Sequence, residues 1–239
     1  MARVIKAPIQ RAGAQRQNNN VGVAPTAAQK LIQIAKKLNL PGIEGMQGST
    51  LTIFDTVLLS TNTGRQTLNF FQNTQNKSAN FSNFQTGNLK AGEAMIIEEF
   101  TLLVLTLSGT DLTSDATAIT AVRPITQVPA TVIANPCFVT GQFSVNIANQ
   151  VVQKNVIGIE TDPAFNSKTS GIATLDTATA TNTRIGNGKI YLESGPVLPP
   201  NQSLLIPYSI GPTGTVAANT AVMLVAGRFG SIFASKTTL

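Results

Sequence analysis

The residue types that most often carry enzyme chemistry are scarce in this chain. The sequence has 239 residues, no His and a single Cys, Cys137. Without His, the Ser-His-Asp and Cys-His forms of nucleophilic catalysis and the commonest zinc ligand are excluded, and one thiolate cannot build a zinc site. The carboxylate pairs Asp111/Asp115 and Glu160/Asp162 lie in predicted loops, where they are either solvated or able to bind a hard cation such as calcium. We therefore expect no catalytic residue, no metal site and no cofactor.

The basic residues, in contrast, are concentrated at one end of the chain. Seven of the 17 Lys and Arg residues occur before the first acidic residue, Glu44: Arg3, Lys6, Arg11, Arg16, Lys30, Lys36 and Lys37. The remainder of the chain carries ten basic against 11 acidic residues and is nearly neutral. A basic arm on a neutral body is typical of a protein that contacts an anionic partner, either nucleic acid or lipid headgroups.

The elements that would position these residues begin with a short helix. Residues 1–24 are polar and basic, and we interpret them as an arm without a core of its own. Residues 26–39 are predicted to be an amphipathic helix, with Thr26 as N-cap and Pro41-Gly42 as the stop. The apolar face is predicted to contain Ala28, Leu31, Ile32, Ala35 and Leu38, opposite Lys30, Gln33 and Lys37. This face either packs on the body or lies against a membrane or shell interior.

Beyond residue 48 the sequence predicts strands. Alternating apolar residues, Thr- and Val-rich runs and Gly/Asn/Pro turns indicate eight strong candidates at 50–60, 66–71, 94–107, 137–148, 151–159, 189–193, 203–209 and 216–229. Such a pattern favours an all-β sandwich or barrel. No run of about 20 apolar residues and no signal peptide is evident, so we expect assembly in a cytoplasm.

A cluster of aromatic residues begins at the end of the second predicted strand and continues toward the third. Phe70, Phe71, Phe81 and Phe84 stand in Asn- and Gln-rich sequence with Lys77. We interpret this segment as an ordered loop whose Phe side chains are anchored either at a subunit contact or beneath the chain's own sheet. The chain has no Trp and two Tyr, which argues against a surface that stacks single-stranded bases or sugars.

An internal similarity suggests how the body is divided. The segments at 89–97 and 198–206 each contain a leucine, a polar turn and an apolar strand entry. We therefore predict an arm and helix over residues 1–48, a first β-domain over residues 49–132 and a second over residues 133–239.

Together, these features resemble a family of viral shell proteins. The basic arm, the short helix and the His-free, Thr- and Asn-rich β body are similar to the compact double jelly-roll major capsid proteins of tailless, membrane-containing icosahedral bacteriophages. The resemblance implies two jelly rolls side by side in one chain, trimeric capsomers, and an N-terminal segment beneath the shell near an internal membrane. A single elaborated jelly roll is the alternative fold.

The sequence therefore predicts a structural, non-enzymatic capsid protein located in the virion. Its expected partners are copies of itself, other virion proteins, and the internal membrane or the packaged nucleic acid, which the arm would contact; no small-molecule substrate is expected. One alternative is a receptor- or glycan-binding β-sandwich protein of the virion. Another is a protein that binds nucleic acid without sequence specificity through the arm.

Overall fold

The described part of the chain contains one α-helix, a single turn of 3-10 helix (Thr74–Asn76) and β-strands. The computed structural model describes residues 26–125, 128–135, 137–138, 141–157, 189–192 and 195–233. The elements, in chain order, are α1 (Ala27–Lys37), β1 (Met46–Ser49), β2 (Thr52–Leu58), β3 (Gln66–Phe70), β4 (Glu93–Leu107), β5 (Ile119–Pro124), β6 (Gln142–Ile147), β7 (Gln150–Ile157), β8 (Lys189–Tyr191), β9 (Val197–Leu198), β10 (Leu204–Ile210) and β11 (Thr220–Phe233). The eight predicted strands are confirmed; β1, β5 and β9 were not predicted.

The start of α1 follows from local sequence. The Thr26 side chain accepts a hydrogen bond from the backbone N–H of Gln29 at 3.3 Å, and the Gln29 side chain accepts one from the Thr26 N–H at 2.8 Å. This reciprocal capping box satisfies two N–H groups that the helix itself leaves without partners. The predicted N-cap is confirmed.

All the strands in the described part of the chain belong to two antiparallel sheets. In the large sheet, β11 and β4 are central; β1 and β2 pair with the outer edge of β11, and β5, β8 and β9 pair with the outer edge of β4. In the small sheet the order is β3-β10-β6-β7. The predicted all-β class is confirmed, with two antiparallel sheets as its architecture.

The main hydrophobic core lies between the two sheets. Strand β10 shows the two-residue alternation that places one face inward: Leu204, Ile206, Tyr208 and Ile210 are buried, and the residues between them are partly exposed. The aromatic rings of Tyr208 and Phe143 from the small sheet stack at 3.8 Å between centroids. Phe143 in turn lies 5.9 Å from Phe100 of the large sheet, so one aromatic stack connects both layers.

The predicted division into β-domains at 49–132 and 133–239 is wrong for the described strands. Strands from the first range pair with strands from the second in both sheets: β2 and β4 with β11, and β3 with β10. One hydrophobic cluster includes residues of both ranges. The two similar segments are neighbours, because Asn201 N–H donates to the Leu89 carbonyl at 3.1 Å and Met95 pairs with Leu198. Their similarity reflects two polar turns beside the same sheet.

Two smaller apolar clusters cover the outer face of the large sheet. Helix α1 covers one end, where Ile34 packs with Ala94, Ile96 and Val197. The connection between β3 and β4, residues 71–92, covers the other end. Here Phe81 packs with residues of β4 and β11: Leu105, Leu107 and Ala221. Both accessory segments thus bury outer surface that a two-layer sandwich would leave exposed.

Candidate functional site

The basic residues of the arm fall into two groups in the structure. Arg3, Lys6, Arg11 and Arg16 lie outside the described residues. Lys36 and Lys37 lie in the last turn of α1 with exposed side chains. Cations at a helix C-terminus interact favourably with its carbonyl groups, so their position also has a purely structural explanation.

Lys30 requires a correction, because it does not belong to the exposed basic surface. Its ammonium nitrogen lies 2.8 Å from both carboxylate oxygens of Glu98 on β4 and 5.2 Å from the ring centroid of Phe229. Its side chain is only 14% exposed. The stem lies along apolar surface while the charge reaches a partner. Lys30 therefore fixes the helix to the large sheet.

The predicted apolar face of α1 was rotated relative to the observed face. Ile34, which the prediction omitted, and Ala35 are the buried helix residues, whereas Ile32 is 42% exposed. Gln33 donates to the Gly195 carbonyl at 3.3 Å, so its side of the helix also contacts the body. The first of the two alternatives for this face, packing on the body, is confirmed.

The Phe cluster also lies inside the chain. Phe70, Phe71, Phe81 and Phe84 are between 0% and 4% exposed. Phe71 and Phe84 meet edge to face with centroids 5.6 Å apart. Their assignment to a subunit contact is therefore wrong, and the alternative beneath the chain's own sheets is confirmed. The physical reason is burial: a ring already enclosed by its own chain has no surface left for a partner.

An ion pair anchors the 71–92 loop to β2. Asp55 accepts from the Lys77 ammonium and from the Phe71 N–H, each at 2.7 Å, and its side chain is fully buried. Lys77 also donates to the Thr56 carbonyl at 2.7 Å. Burial raises the pKa of Asp55 above its ordinary value, and the Lys77 charge opposes that shift.

The same loop covers the free edge of β2. Asn83 accepts from the Phe54 N–H at 2.7 Å and donates to the Thr52 carbonyl at 2.8 Å. Ser82 donates to the Phe54 carbonyl at 3.2 Å. An uncovered strand edge is a template for pairing with other chains. This loop therefore removes one route to strand addition.

The Asp111/Asp115 pair does not form a cation site. Asp111 accepts from the N–H and hydroxyl of Thr113, and these bonds lower the pKa of the carboxyl. Asp115 accepts instead from the Ser78 hydroxyl at 2.5 Å. Within the described ranges, no three His, Cys, Asp or Glu residues lie close enough together to hold a metal ion. Glu160 and Asp162 lie outside those ranges.

Where the structure describes side chains, the outer face of the small sheet is free of charge. The core-facing residues of β3, β6 and β10 alternate with partly or fully exposed ones. These outward residues are Thr67, Asn69, Gln142, Ser144, Asn146, Leu205, Pro207 and Ser209. Neutral polar groups lose less hydration free energy on burial than ions do. The face therefore suits contact with another protein surface.

A concave surface at one end of the sandwich was not predicted. Three connections between strands surround a groove of about 840 Å³, which we call the amide groove. Its lining residues are Phe71, Gln72, Asn73, Thr74, Gln75, Asn76, Thr86, Gly87, Asn88, Ala148, Asn149, Asn201, Gln202, Ser203, Leu204 and Leu205. Local sequence shows only polar turns. That the turns after β3, β6 and β9 meet at one end depends on the strand order.

Comparison of the sequence with protein-family models finds no matching family, and comparison with curated proteins finds no matching relative. Among the residues that the structure describes, no helix has the length and apolar character of a membrane span. The function must therefore be inferred from fold topology, charge distribution and the surfaces described above.

Proposed function

We propose that this protein is a self-assembling viral shell subunit with a single jelly-roll fold. The strand pairing carries the jelly-roll part of this proposal, and the charge distribution carries the shell-subunit part. If β1 and β5 are set aside and β8 and β9 are taken as one position, eight strands remain. The first pairs with the eighth (β2 with β11), the second with the seventh (β3 with β10), the third with the sixth (β4 with β8 and β9) and the fourth with the fifth (β6 with β7).

This pairing is that of a long antiparallel ribbon folded over into two sheets, as in jelly rolls. It favours the single jelly roll over the side-by-side double roll that the resemblance implied. In a double roll, each half would close its own pair of sheets. Jelly rolls build viral capsids, but also lectin domains and cupins, so the fold alone does not define the function.

The charge distribution favours a shell subunit among these classes. A neutral outer face on the small sheet could approach a second copy without repulsion between like charges. The basic arm would make the interior of such a shell chemically distinct from its exterior. With Lys30 used in the fold, the basic residues of the arm and helix that remain for an anionic partner are Arg3, Lys6, Arg11, Arg16, Lys36 and Lys37.

The proposed mechanism combines self-association with many weak electrostatic contacts. Copies of the chain would associate into trimeric capsomers through neutral flanks, and these would join into a closed icosahedral shell in the host cytoplasm. The arms would then face the internal membrane or the packaged nucleic acid. Each basic residue near an anionic membrane contributes roughly 1 kcal/mol. Repetition over many copies would make the combined attachment strong.

The test compares the full chain with two arm variants. One variant deletes residues 1–24, and the matched variant keeps the length but changes Arg3, Lys6, Arg11 and Arg16 to Gln. Native mass is measured by light scattering across a salt series, and the same fractions are imaged by negative-stain microscopy. We expect trimers or closed shells from the full chain, and folded protein with impaired shell assembly from both variants.

A full chain that is monomeric at every salt concentration would refute the shell proposal. Stable shells at normal yield from both arm variants would refute the role of the arm. Binding to anionic vesicles and to single-stranded nucleic acid then distinguishes the two partners. Salt-dependent nucleic-acid binding by a strictly monomeric protein would instead support the nucleic-acid-binding alternative.

A further inference from the structure

The amide groove has the composition of a binding site for an uncharged, hydroxyl-rich ligand. None of its lining residues is ionisable under ordinary conditions, and eight carry primary amides: Gln72, Asn73, Gln75, Asn76, Asn88, Asn149, Asn201 and Gln202. Three more lining residues carry hydroxyl groups. These are Ser203, together with Thr74 and Thr86, whose hydroxyls already donate to the Phe84 and Asn88 carbonyls at 2.7 Å. The wall is therefore dense in hydrogen-bonding groups without carrying charge.

These amides are available for a ligand. Within the described part of the chain, none of the groove's side-chain amides takes part in a hydrogen bond. Outside the groove, by contrast, the Asn83 side-chain amide is hydrogen-bonded to the backbone of β2. Each primary amide offers two donors and a carbonyl acceptor. The groove thus presents both kinds of hydrogen-bonding group to whatever enters it.

The turns that form the walls are held by hydrogen bonds. Five non-glycine lining residues have left-handed backbone conformations: Phe71, Asn73, Ala148, Asn149 and Asn201. The Phe71 N–H is fixed by Asp55. The Ala148 N–H donates to the Ser203 carbonyl at 3.0 Å, and Asn201 donates to Leu89. A pre-formed wall reduces the entropy lost when a ligand binds.

We propose that the amide groove binds a neutral carbohydrate chain. Sugar rings carry closely spaced hydroxyl groups that both donate and accept, which matches a wall of amides and hydroxyls. Anionic ligands would find no cation among the lining residues, and metal ions would find no carboxylate. The proposal is independent of shell assembly, since one copy of the chain contains the whole groove.

An extended peptide is the less favoured ligand. Sheet proteins commonly bind peptides by adding a strand to a free edge and taking alternate side chains into apolar pockets. Turns, rather than a strand edge, form most of this groove, and its apolar residues Phe71 and Leu204 are buried. Because no exposed aromatic ring lines the groove, recognition of the sugar would depend on hydrogen bonds instead of ring stacking.

The experiment applies the full chain to an array of neutral oligosaccharides based on glucose, mannose, galactose and N-acetylglucosamine, with sialylated and sulfated chains alongside. Positive sugars are then titrated by calorimetry. The variant Gln72→Ala/Asn76→Ala/Gln202→Ala removes three groove amides. The matched control Thr67→Ala/Asn69→Ala/Gln142→Ala removes as many polar groups from the outer face of the small sheet.

We expect binding to at least one neutral oligosaccharide, a loss of at least about tenfold in affinity in the groove variant, and no change in the control. In the wild-type protein, the same sugar should shift the side-chain amide NMR signals of Asn76 and Gln202. This measurement keeps the test decisive if the triple variant does not fold.

Three results would overturn the proposal. These are the absence of binding to any neutral chain, equal affinity in the groove variant and the wild type, and sugar binding that leaves the groove amide signals unshifted. Binding of a peptide library at the groove without any oligosaccharide would replace the carbohydrate with a peptide as ligand. Each result leaves the shell proposal unaffected, because native mass reports that separately.

Discussion

Helix α1 and the 71–92 loop both cover the outer face of the large sheet, and each is attached by a lysine–carboxylate pair. The pairs differ in depth. Lys30 and Glu98 at the helix are 14% and 17% exposed. At the loop, Lys77 is 13% exposed and Asp55 is fully buried. Asp55 accepts a backbone hydrogen bond in addition to the bond from lysine.

This difference indicates that the two segments have different thermodynamic roles. The loop supplies side-chain hydrogen-bond partners to the β2 backbone, buries Phe residues in the core clusters and contains part of the amide groove. Helix α1 contributes two buried residues, Ile34 and Ala35, and leaves the rest of its surface exposed or partly exposed. We therefore expect the loop to unfold with the sandwich and the helix to detach separately.

The largest expected effect is the loss of the buried pair at the loop. Asp55→Ala should lower the free energy of unfolding by about 3–5 kcal/mol, because it leaves Lys77 without its counter-charge and the Phe71 N–H without an acceptor. The matched change at the helix, Glu98→Ala, should cost about 1 kcal/mol because its pair is closer to solvent. Urea denaturation measures both. Equal losses would contradict the proposed difference between the two segments.

A smaller and local effect is expected at the helix. Ile34→Ala removes the main buried side chain of α1 and should release the helix, while the free energy of unfolding of the sandwich changes by less than about 1 kcal/mol. Amide hydrogen exchange should show faster exchange over Ala27–Lys37 alone. Ile32→Ala, an exposed position on the same helix, is the control and should leave exchange unchanged. Faster exchange throughout both sheets would show that the helix is integral to the fold.

Some features of these segments could be predicted from the sequence and others could not, for physical reasons. The start of α1 is encoded by Thr26 and Gln29, which are three residues apart, so local pattern was sufficient. The predicted packing face of α1 is rotated from the observed one because Lys30 was assigned to the solvent side. Its stem instead lies along the apolar contact, which is possible because Glu98 on β4 pairs with its charge. Strands β1 and β9, with four and two residues, are too short to show a periodic pattern. Strand β5 has six residues, but none of them is buried, so it carries no alternation of buried and exposed side chains.

Contacts between distant parts of the chain could not be predicted from the local sequence pattern. Asp55 and Lys77 are 22 residues apart, and neither neighbourhood signals the ion pair. The Phe cluster was recognised as anchoring, but only the strand order shows that its rings enter the chain's own core. The same holds for the amide groove, because polar turns look alike whether they converge or diverge. Strand pairing also replaced the predicted two-domain body with one sandwich.

The smallest expected effect concerns pH and contrasts a buried with an exposed carboxylate. Because burial raises the pKa of Asp55 above 3.8, the folded state binds its proton more tightly than the unfolded state does. Its contribution to the free energy of unfolding is therefore fully present below pH 3.8 and is lost as pH rises through the folded pKa. For Asp111, whose pKa is lowered, the contribution is present above pH 3.8 and is lost as pH falls through the folded pKa.

Urea denaturation between pH 2.5 and pH 7 of the wild type, Asp55→Asn and Asp111→Asn measures this contrast, with those pH limits set around the ordinary carboxyl pKa of about 4. The wild-type advantage over Asp55→Asn should fall with rising pH, whereas the advantage over Asp111→Asn should rise. Two differences with the same slope would mean that the Lys77 charge outweighs burial at Asp55. In that case the loop pair would behave electrostatically like an exposed one, and only its hydrogen bonds would distinguish it from the pair at the helix.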